Sequence, residues 1–240
     1  MEREHFSSRL GFILITAACS IGLGNIWRFP YIVGKYGGAS FVILYLVFLV
    51  ILGLPIIVME FAVGRASQQS TARSFDELEP EGTKWHWFKY ATILGSYLLM
   101  MFYTVISGWL LRYFFEMVRG SFQGLTTDEV AGVFSDLLGD PVSMIFCTVL
   151  ILVFSFAVCA MGIQKGVERI TKVIMSMLFV LLILLAVRSV ALPNAGIGLS
   201  YYLRPDFGAM IESGLWEAVF AAMGQAFFTL SIGIGVLAVF

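Results

Sequence analysis

The sequence predicts an all-α polytopic membrane protein. Of its 240 residues, 59% are hydrophobic and only 13% are charged, where soluble domains carry about 25% charge. Six apolar stretches can each cross a bilayer as a helix of roughly 20 residues. They leave no room for a separate aqueous catalytic domain, so a single membrane domain over residues 1–240 is expected. The 15 Lys and Arg balance 16 Asp and Glu, which argues for no nucleic acid partner, since such binding leaves a basic surplus. Cys19, Cys147 and Cys159 all lie in apolar runs, with no disulfide framework and no CxxC metal signature.

The stretches run from about Leu10 to Val33, Phe41 to Gly64, Tyr90 to Val118, Val142 to Met161, Ile170 to Val190, and Trp216 to the terminus. The first contains Asn25, Arg28 and Pro30 and lacks an A-x-A-type cleavage site, so it reads as a retained span. With the N-terminus inside, the inner flanks hold nine basic residues (Arg3, Arg9, Arg65, Arg73, Lys84, Lys89, Lys165, Arg169, Lys172). The outer flanks hold six (Arg28, Lys35, Arg112, Arg119, Arg188, Arg204), a modest preference for a cytoplasmic N-terminus. The outer segment with Asp128, Glu129, Asp136 and Asp140 has no Cys and no N-x-[ST] sequon, as expected of a bacterial-type inner (plasma) membrane. Ala66 to Trp87 reads as a boundary loop whose Asp76, Glu77, Glu79 and Glu81 form a solvated face and whose Trp85 and Trp87 sit at headgroup level. The last span stops at Phe240 inside an apolar run, which leads to the expectation of a truncated chain.

The most informative segment is Ser20-Ile21-Gly22-Leu23-Gly24-Asn25-Ile26-Trp27-Arg28-Phe29-Pro30. Each glycine lowers helix propensity by about 1 kcal/mol relative to alanine. A helix broken at bilayer depth persists only where protein or a water-filled cavity satisfies the freed backbone. The half-helix ending near Ala18 to Ile21 would present carbonyls suited to a small hard cation such as Na⁺. The half-helix starting near Leu23 to Asn25 would present N–H groups suited to a carboxylate, and Asn25 adds a side-chain carbonyl. Two glycines alone are equally well explained by close helix packing. A dinucleotide fingerprint fails, for want of a preceding strand and a third glycine in register. The last span shows a second interruption, Gly224-Gln225-Ala226-Phe227-Phe228-Thr229-Leu230-Ser231-Ile232-Gly233-Ile234-Gly235, and paired interrupted spans point to a transporter's binding site.

Four motifs carry a family resemblance: Gly22-Leu23-Gly24-Asn25 with Arg28-Phe29-Pro30; Gly53-Leu54-Pro55 with Glu60 and Gly64-Arg65; Gly162-Ile163-Gln164-Lys165-Gly166-Val167-Glu168-Arg169; and Gly224-Gln225-x-Phe227-Phe228-Thr229-Leu230-Ser231-x-Gly233. Together they resemble the neurotransmitter:sodium symporters, most of all their prokaryotic amino-acid members. The rule about paired interruptions was itself framed on this family, so the two arguments are not independent. The resemblance implies a fold of two inverted five-helix repeats with helices one and six discontinuous. Residues 1–190 would be the first repeat, residues 191–240 an outer loop and part of helix six, and the missing C-terminal repeat would supply helices seven to ten.

By position, the resemblance implies two Na⁺ sites in the intact protein. The first would use the Ser20 carbonyl, the Asn25 side chain and Thr229, and the second the carbonyls of Ala18 and Ile21. The amino-acid substrate would meet Cys19, Ser20, Leu23 and Gly24 on helix one, Leu99 and Tyr103 on helix three, and Phe228, Thr229, Ser231 and Ile234 on helix six. Tyr103 would bond the substrate carboxylate and Phe228 would act as an aromatic lid. Arg28 with Gln225 resembles the outer gate, and Arg3 with Phe6 the inner one. Glu60 would accept hydrogen bonds from N–H groups exposed at the breaks, with proton carriage the less favoured role. Tyr45 matches a chloride ligand of chloride-dependent relatives, and the position deciding chloride use would lie in helix seven.

Monoamine carriers of the family place an aspartate where Gly22 stands, so the substrate here should bring its own carboxylate. Leu99, Phe228 and Ile234 favour a neutral hydrophobic or aromatic amino acid. Two positions depart from the family: Ser176 stands where relatives often have proline, and Cys19 where a small or amide residue is common. The implied activity is sodium-coupled uptake by alternating access, and no enzymatic activity. A haem enzyme is disfavoured because the two histidines, His5 and His86, both lie in flanks. The alternative is a half-transporter that acts only in assembly or interaction, and the fragment alone is not expected to transport.

Overall fold

The computed structural model describes residues 9–236 and Ala238, with Thr127, Gln164 and Lys165 described by backbone only. Among the described residues the chain is helical throughout, with no strand. It divides into two compact units: residues up to Ile93 together with those from Glu168 onward, and Leu94–Val167.

In the first unit, α1 (Arg9–Ser20) gives way to a π-turn at Gly24–Arg28 and then to α2 (Phe29–Lys35). The pair bends by 51° at the glycines that the sequence marks as a break. Pro30 sits in the first turn of α2, where its missing N–H costs no bond. Next come α3 (Ala39–Phe48), a π-turn at Leu49–Gly53 and α4 (Leu54–Ser67), which form one span of 29 residues. The sequence reading expects that span to be uninterrupted helix. Pro55 lacks an N–H and cannot continue the ladder regularly, and the wider turn just before it absorbs the mismatch.

The segment read as a boundary loop folds α5 (Thr71–Leu78) and a 3₁₀ turn at Trp85–Trp87 before α6 (Phe88–Arg119) begins. His86 Nδ1 lies 2.7 Å from Glu79 Oε2. Burial raises the Glu79 carboxyl, but the hydrogen bond and charge of His86 and the Thr83 hydroxyl outweigh it, leaving Glu79 below its ordinary value.

The remainder of the first unit is α9 (Arg169–Val190), α10 (Ala195–Leu203), α11 (Phe207–Glu212) and α12 (Leu215–Leu230). Its core joins Ile32, Val33, Tyr36, Phe41 and Tyr45 to Met210, Ala218, Ala222 and Ala226. The three alanines recur every four residues and are fully buried, so α12 presents a stripe of small side chains against which α3 packs closely. At the turn before α3, Gly37 and Gly38 have φ of 82° and 60°, and the spaces their side chains would occupy are filled by the Met210 backbone and the Tyr201 carbonyl.

The second unit contains most of α6, then α7 (Thr127–Gly139) and α8 (Pro141–Ala160). Thr148 of α8 occupies the space beside Gly108 of α6, and Trp109 meets Phe134 edge-on at 5.7 Å. The acidic segment with Asp128 and Glu129, read from the sequence as an outer loop, is the helix α7. Its start is a capping box in which the Thr126 hydroxyl accepts from the Glu129 N–H while Glu129 accepts from the Thr126 N–H.

Among the described residues four helices are long and apolar enough to cross a membrane, five if the bent α1–α2 pair counts as one span. The last stretch, read from Trp216 to the terminus as an interrupted span, is helix as far as Leu230, 16 residues in all, and breaks at Ser231, among its hydroxyls and glycines. Ser231, Gly233 and Gly235 then take φ of 51°, 92° and 70°, and that left-handed backbone cannot continue an α-helix.

Candidate functional site

The two interruptions meet in the first unit. At the first, the carbonyls at the end of α1 lose their intrahelical partners, and side chains from across the break satisfy two of them. Asn25 Nδ2 donates to the Ser20 carbonyl at 2.6 Å, and Ser231 Oγ donates to the Cys19 carbonyl at 2.8 Å. Beyond the break, the N–H groups of Asn25 and Ile26 turn back onto the Gly22 carbonyl at 3.1 and 3.2 Å.

From α12, Thr229 Oγ1 donates to Asn25 Oδ1 at 2.8 Å and accepts from the Tyr45 hydroxyl at 3.2 Å. One turn earlier the buried Gln225 donates from Nε2 to the Gly24 carbonyl at 2.9 Å. Its Oε1 accepts from Arg28 Nη1 at 3.2 Å. The Arg28 guanidinium lies 6.0 Å from the centre of the Phe228 ring, at the outer reach of a cation–π contact. That ring fills the space a side chain at position 24 would need, which explains why glycine stands there.

At the second interruption, the Gly233 N–H donates to Glu60 Oε1 at 2.7 Å. Leu230 fills the space beside Gly53, next to the π-turn that the sequence did not signal. Thr71 Oγ1 donates to the Gly235 carbonyl at 2.6 Å, a contact from a loop helix that no motif indicated.

Of the residues singled out from sequence, the structure brings together Cys19, Ser20, Gly24, Asn25, Arg28, Tyr45, Gln225, Phe228, Thr229 and Ser231, with Glu60 on the segment that follows. Ala18, Ile21 and Leu23 flank the first break, and Ile234 lies in the turn after α12. Leu99 and Tyr103 are half-buried on α6 in the second unit. Arg3 and Phe6 lie outside the described residues. Ser20 O, Asn25 Oδ1 and Thr229 Oγ1 form an oxygen-only group, the donor set a hard monovalent cation takes. No nitrogen or sulfur base stands among them, which excludes a zinc-type site there.

The model of the sodium:neurotransmitter symporter family matches residues 3–127 and 134–240. An uncharacterized sodium-dependent transporter of Methanocaldococcus jannaschii is 34% identical over 99% of this chain and 48% of its own length. One of Bacillus subtilis is 34% identical over 97% of this chain and 50% of its own. The mouse sodium- and chloride-dependent GABA transporter 2 is 30% identical over 99% and 44%. The crystal structure of MhsT in complex with L-phenylalanine superposes with a TM-score of 0.86 at 38% identity, covering 99% of this chain and 53% of that one. The chain thus spans about half the length of the relatives it matches. By motif, family match and fold, the chain belongs to the sodium:neurotransmitter symporter family.

Proposed function

We propose that this chain supplies the helix-one and helix-six portion of the binding site in a sodium-coupled symporter for a neutral, hydrophobic or aromatic amino acid. The observation that carries the reading is the hydrogen-bonded group of Ser20, Asn25 and Thr229, which joins the two interrupted helices. A Na⁺ ion held by Ser20 O, Asn25 Oδ1 and Thr229 Oγ1 ties those helices through its own charge. The Tyr45 hydroxyl and the Gln225 amide both donate to Thr229 Oγ1 and hold that side chain at the junction of the two helices. The Ala18 and Ile21 carbonyls are the proposed start of a second Na⁺ site.

A substrate carboxylate suits the positive end of the half-helix at Leu23 and Gly24, since the Asn25 N–H, expected from the sequence to be free, is taken by the Gly22 carbonyl. Gly22 leaves that charge unopposed, where an aspartate would repel it. Phe228, Ile234 and the Cys19 side chain would meet the apolar end, and Leu99 and Tyr103 are carried as substrate contacts on the family resemblance. The relative solved with L-phenylalanine supports this class. A neutral amino acid entering with Na⁺ moves net charge, so uptake gains about 2.3 kcal/mol per charge per 100 mV besides the sodium gradient. The balance of basic flanks favours a cytoplasmic N-terminus, and the acidic segment without Cys or N-x-[ST] sequon supports a plasma-membrane location.

The test is uptake of labelled L-phenylalanine by the intact protein in proteoliposomes under an inward Na⁺ gradient. Accumulation that leucine competes for and lysine or glutamate does not is expected. Equal uptake under a K⁺ gradient would overturn sodium coupling.

A further inference from the structure

We propose that Thr71 is a positioning residue and that α5, the loop helix it begins, is a latch holding the downstream end of the second interruption. The proposal rests on the reading of the two interruptions as the moving part of a transporter. Residues 231–236 form turns, not helix, so ties from other elements set their position. Two of these come from the spanning helices: Ser231 Oγ to the Cys19 carbonyl at 2.8 Å and the Gly233 N–H to Glu60 at 2.7 Å. The third is Thr71 Oγ1 donating to the Gly235 carbonyl at 2.6 Å. It is also a steric fit, because Gly235 has a φ of 70° and Thr71 occupies the space its side chain would need.

The latch has a firm base. The buried Ser74 hydroxyl accepts from Ser67 Oγ at 2.8 Å and donates to the Ser70 carbonyl at 3.0 Å, fixing α5 to the end of α4. On α4 itself, Gly64 leaves its side-chain space to the Ala238 backbone. The corner from Gly64 to Ser74 therefore grips the chain after α12 at two points, Gly235 and Ala238. The movable part is the turn at residues 231–236, which, unlike α5, is held by a few single hydrogen bonds. Release from Thr71 frees the segment joined through Ser231 to Cys19 at the first break, so opening at the second interruption reaches the first.

The test uses the purified intact protein in a Cys147→Ser, Cys159→Ser background, which leaves Cys19 as the described thiol to be followed by maleimide alkylation. In K⁺ buffer without substrate, Thr71→Val should speed alkylation about fivefold, the worth of one hydrogen bond in an opening equilibrium. Thr71→Ser keeps the hydroxyl and should stay within about twofold of the parent. Thr71→Ala, a second hydroxyl-free variant, carries the same expectation as Thr71→Val. Hydroxyl-free variants that label at the parental rate, or a serine variant as fast as valine, overturn the latch. The comparison is made in K⁺, so it stands apart from sodium coupling: a parent protein whose Cys19 labelling ignores Na⁺ would count against the proposed function and leave the ratio between variants to decide the latch.

Discussion

Gln225 Nε2 donates to the Gly24 carbonyl at 2.9 Å, joining α12 to the first broken helix through one buried amide. Its carbonyl oxygen accepts from Arg28, so the amide serves a backbone acceptor and a cationic donor together. Gln225→Leu removes both of these and the longer contacts of Nε2 with Asn25 Oδ1 and Thr229 Oγ1 while keeping similar volume. The Gly24 carbonyl keeps the Phe29 N–H, so the loss is that of the amide's own hydrogen bonds, about 1 kcal/mol for a neutral one and more for the one to Arg28, and a clear fall in apparent Tm is expected in thermal unfolding. A Tm equal to that of the parent would show that the amide is not holding the helices together.

The Phe228 ring stands where a side chain at Gly24 would lie. Gly24→Ala must displace that ring, and overpacking of this kind costs about 1–3 kcal/mol. L-phenylalanine binding should weaken by at least about tenfold, on the scale of 1.4 kcal/mol per tenfold, while Gly34→Ala, which meets open space, should bind as the parent does. Equal effects at the two positions would contradict the close approach at Gly24.

Glu60 accepts from the Gly233 N–H, and the amide of Glu60→Gln keeps an oxygen in reach. Glu60→Leu does not, and loses a hydrogen bond to a charged acceptor, worth up to about 1.5–3 kcal/mol. Leucine should therefore lower Tm markedly more than glutamine. If the two variants lose equally, the carboxylate's charge, not its acceptor oxygen, is what the second interruption needs.

Thr126 caps α7, and Thr126→Ala should cost that helix about 1 kcal/mol, seen as faster hydrogen exchange in its first turn. Glu129 is held below its ordinary value by the Thr126 N–H and then by its hydroxyl. A carboxyl lowered on folding stabilises above its unfolded value, near 4.3 for glutamate, and that stabilisation is lost as pH falls through the lower folded value. Protection of the first turn, corrected for intrinsic exchange, should thus be level from neutral pH to about 4.5 and decline below it. A decline beginning near neutral pH would point to another group.

The sequence made the breaks legible because glycine, amide and hydroxyl residues inside apolar spans have few structural uses. Gly22, Gly24 and Asn25 on one helix and Thr229, Ser231 and Gly233 on another lie at or beside the places where the regular α-helix is interrupted. The π-turn at Leu49–Gly53 was hidden, since hydropathy alone does not distinguish helical repeats of different width. The helices α5 and α7 were hidden by polar composition, although Thr126 and Glu129 stood at capping-box spacing, and α10 and α11 by their length of only nine and six residues. Thr71 carried no signal, because its role depends on a glycine brought to it by the fold from 164 residues away. Leu99 and Tyr103 were legible only through the family resemblance, since a half-buried leucine and tyrosine on a long apolar helix have no pattern of their own.

The central claim is that Na⁺ joins the two interrupted helices through Ser20, Asn25 and Thr229. Equilibrium binding of labelled L-phenylalanine to the intact protein in Na⁺, with K⁺ as the replacement cation, tests it most directly, run beside Asn25→Ala and Thr229→Val. Binding should be strong in Na⁺ and nearly absent in K⁺, and each variant should need at least about tenfold more Na⁺ for half-saturation, on the scale of 1.4 kcal/mol per tenfold. Undiminished binding in K⁺, or an unchanged Na⁺ requirement in both variants, would contradict the claim.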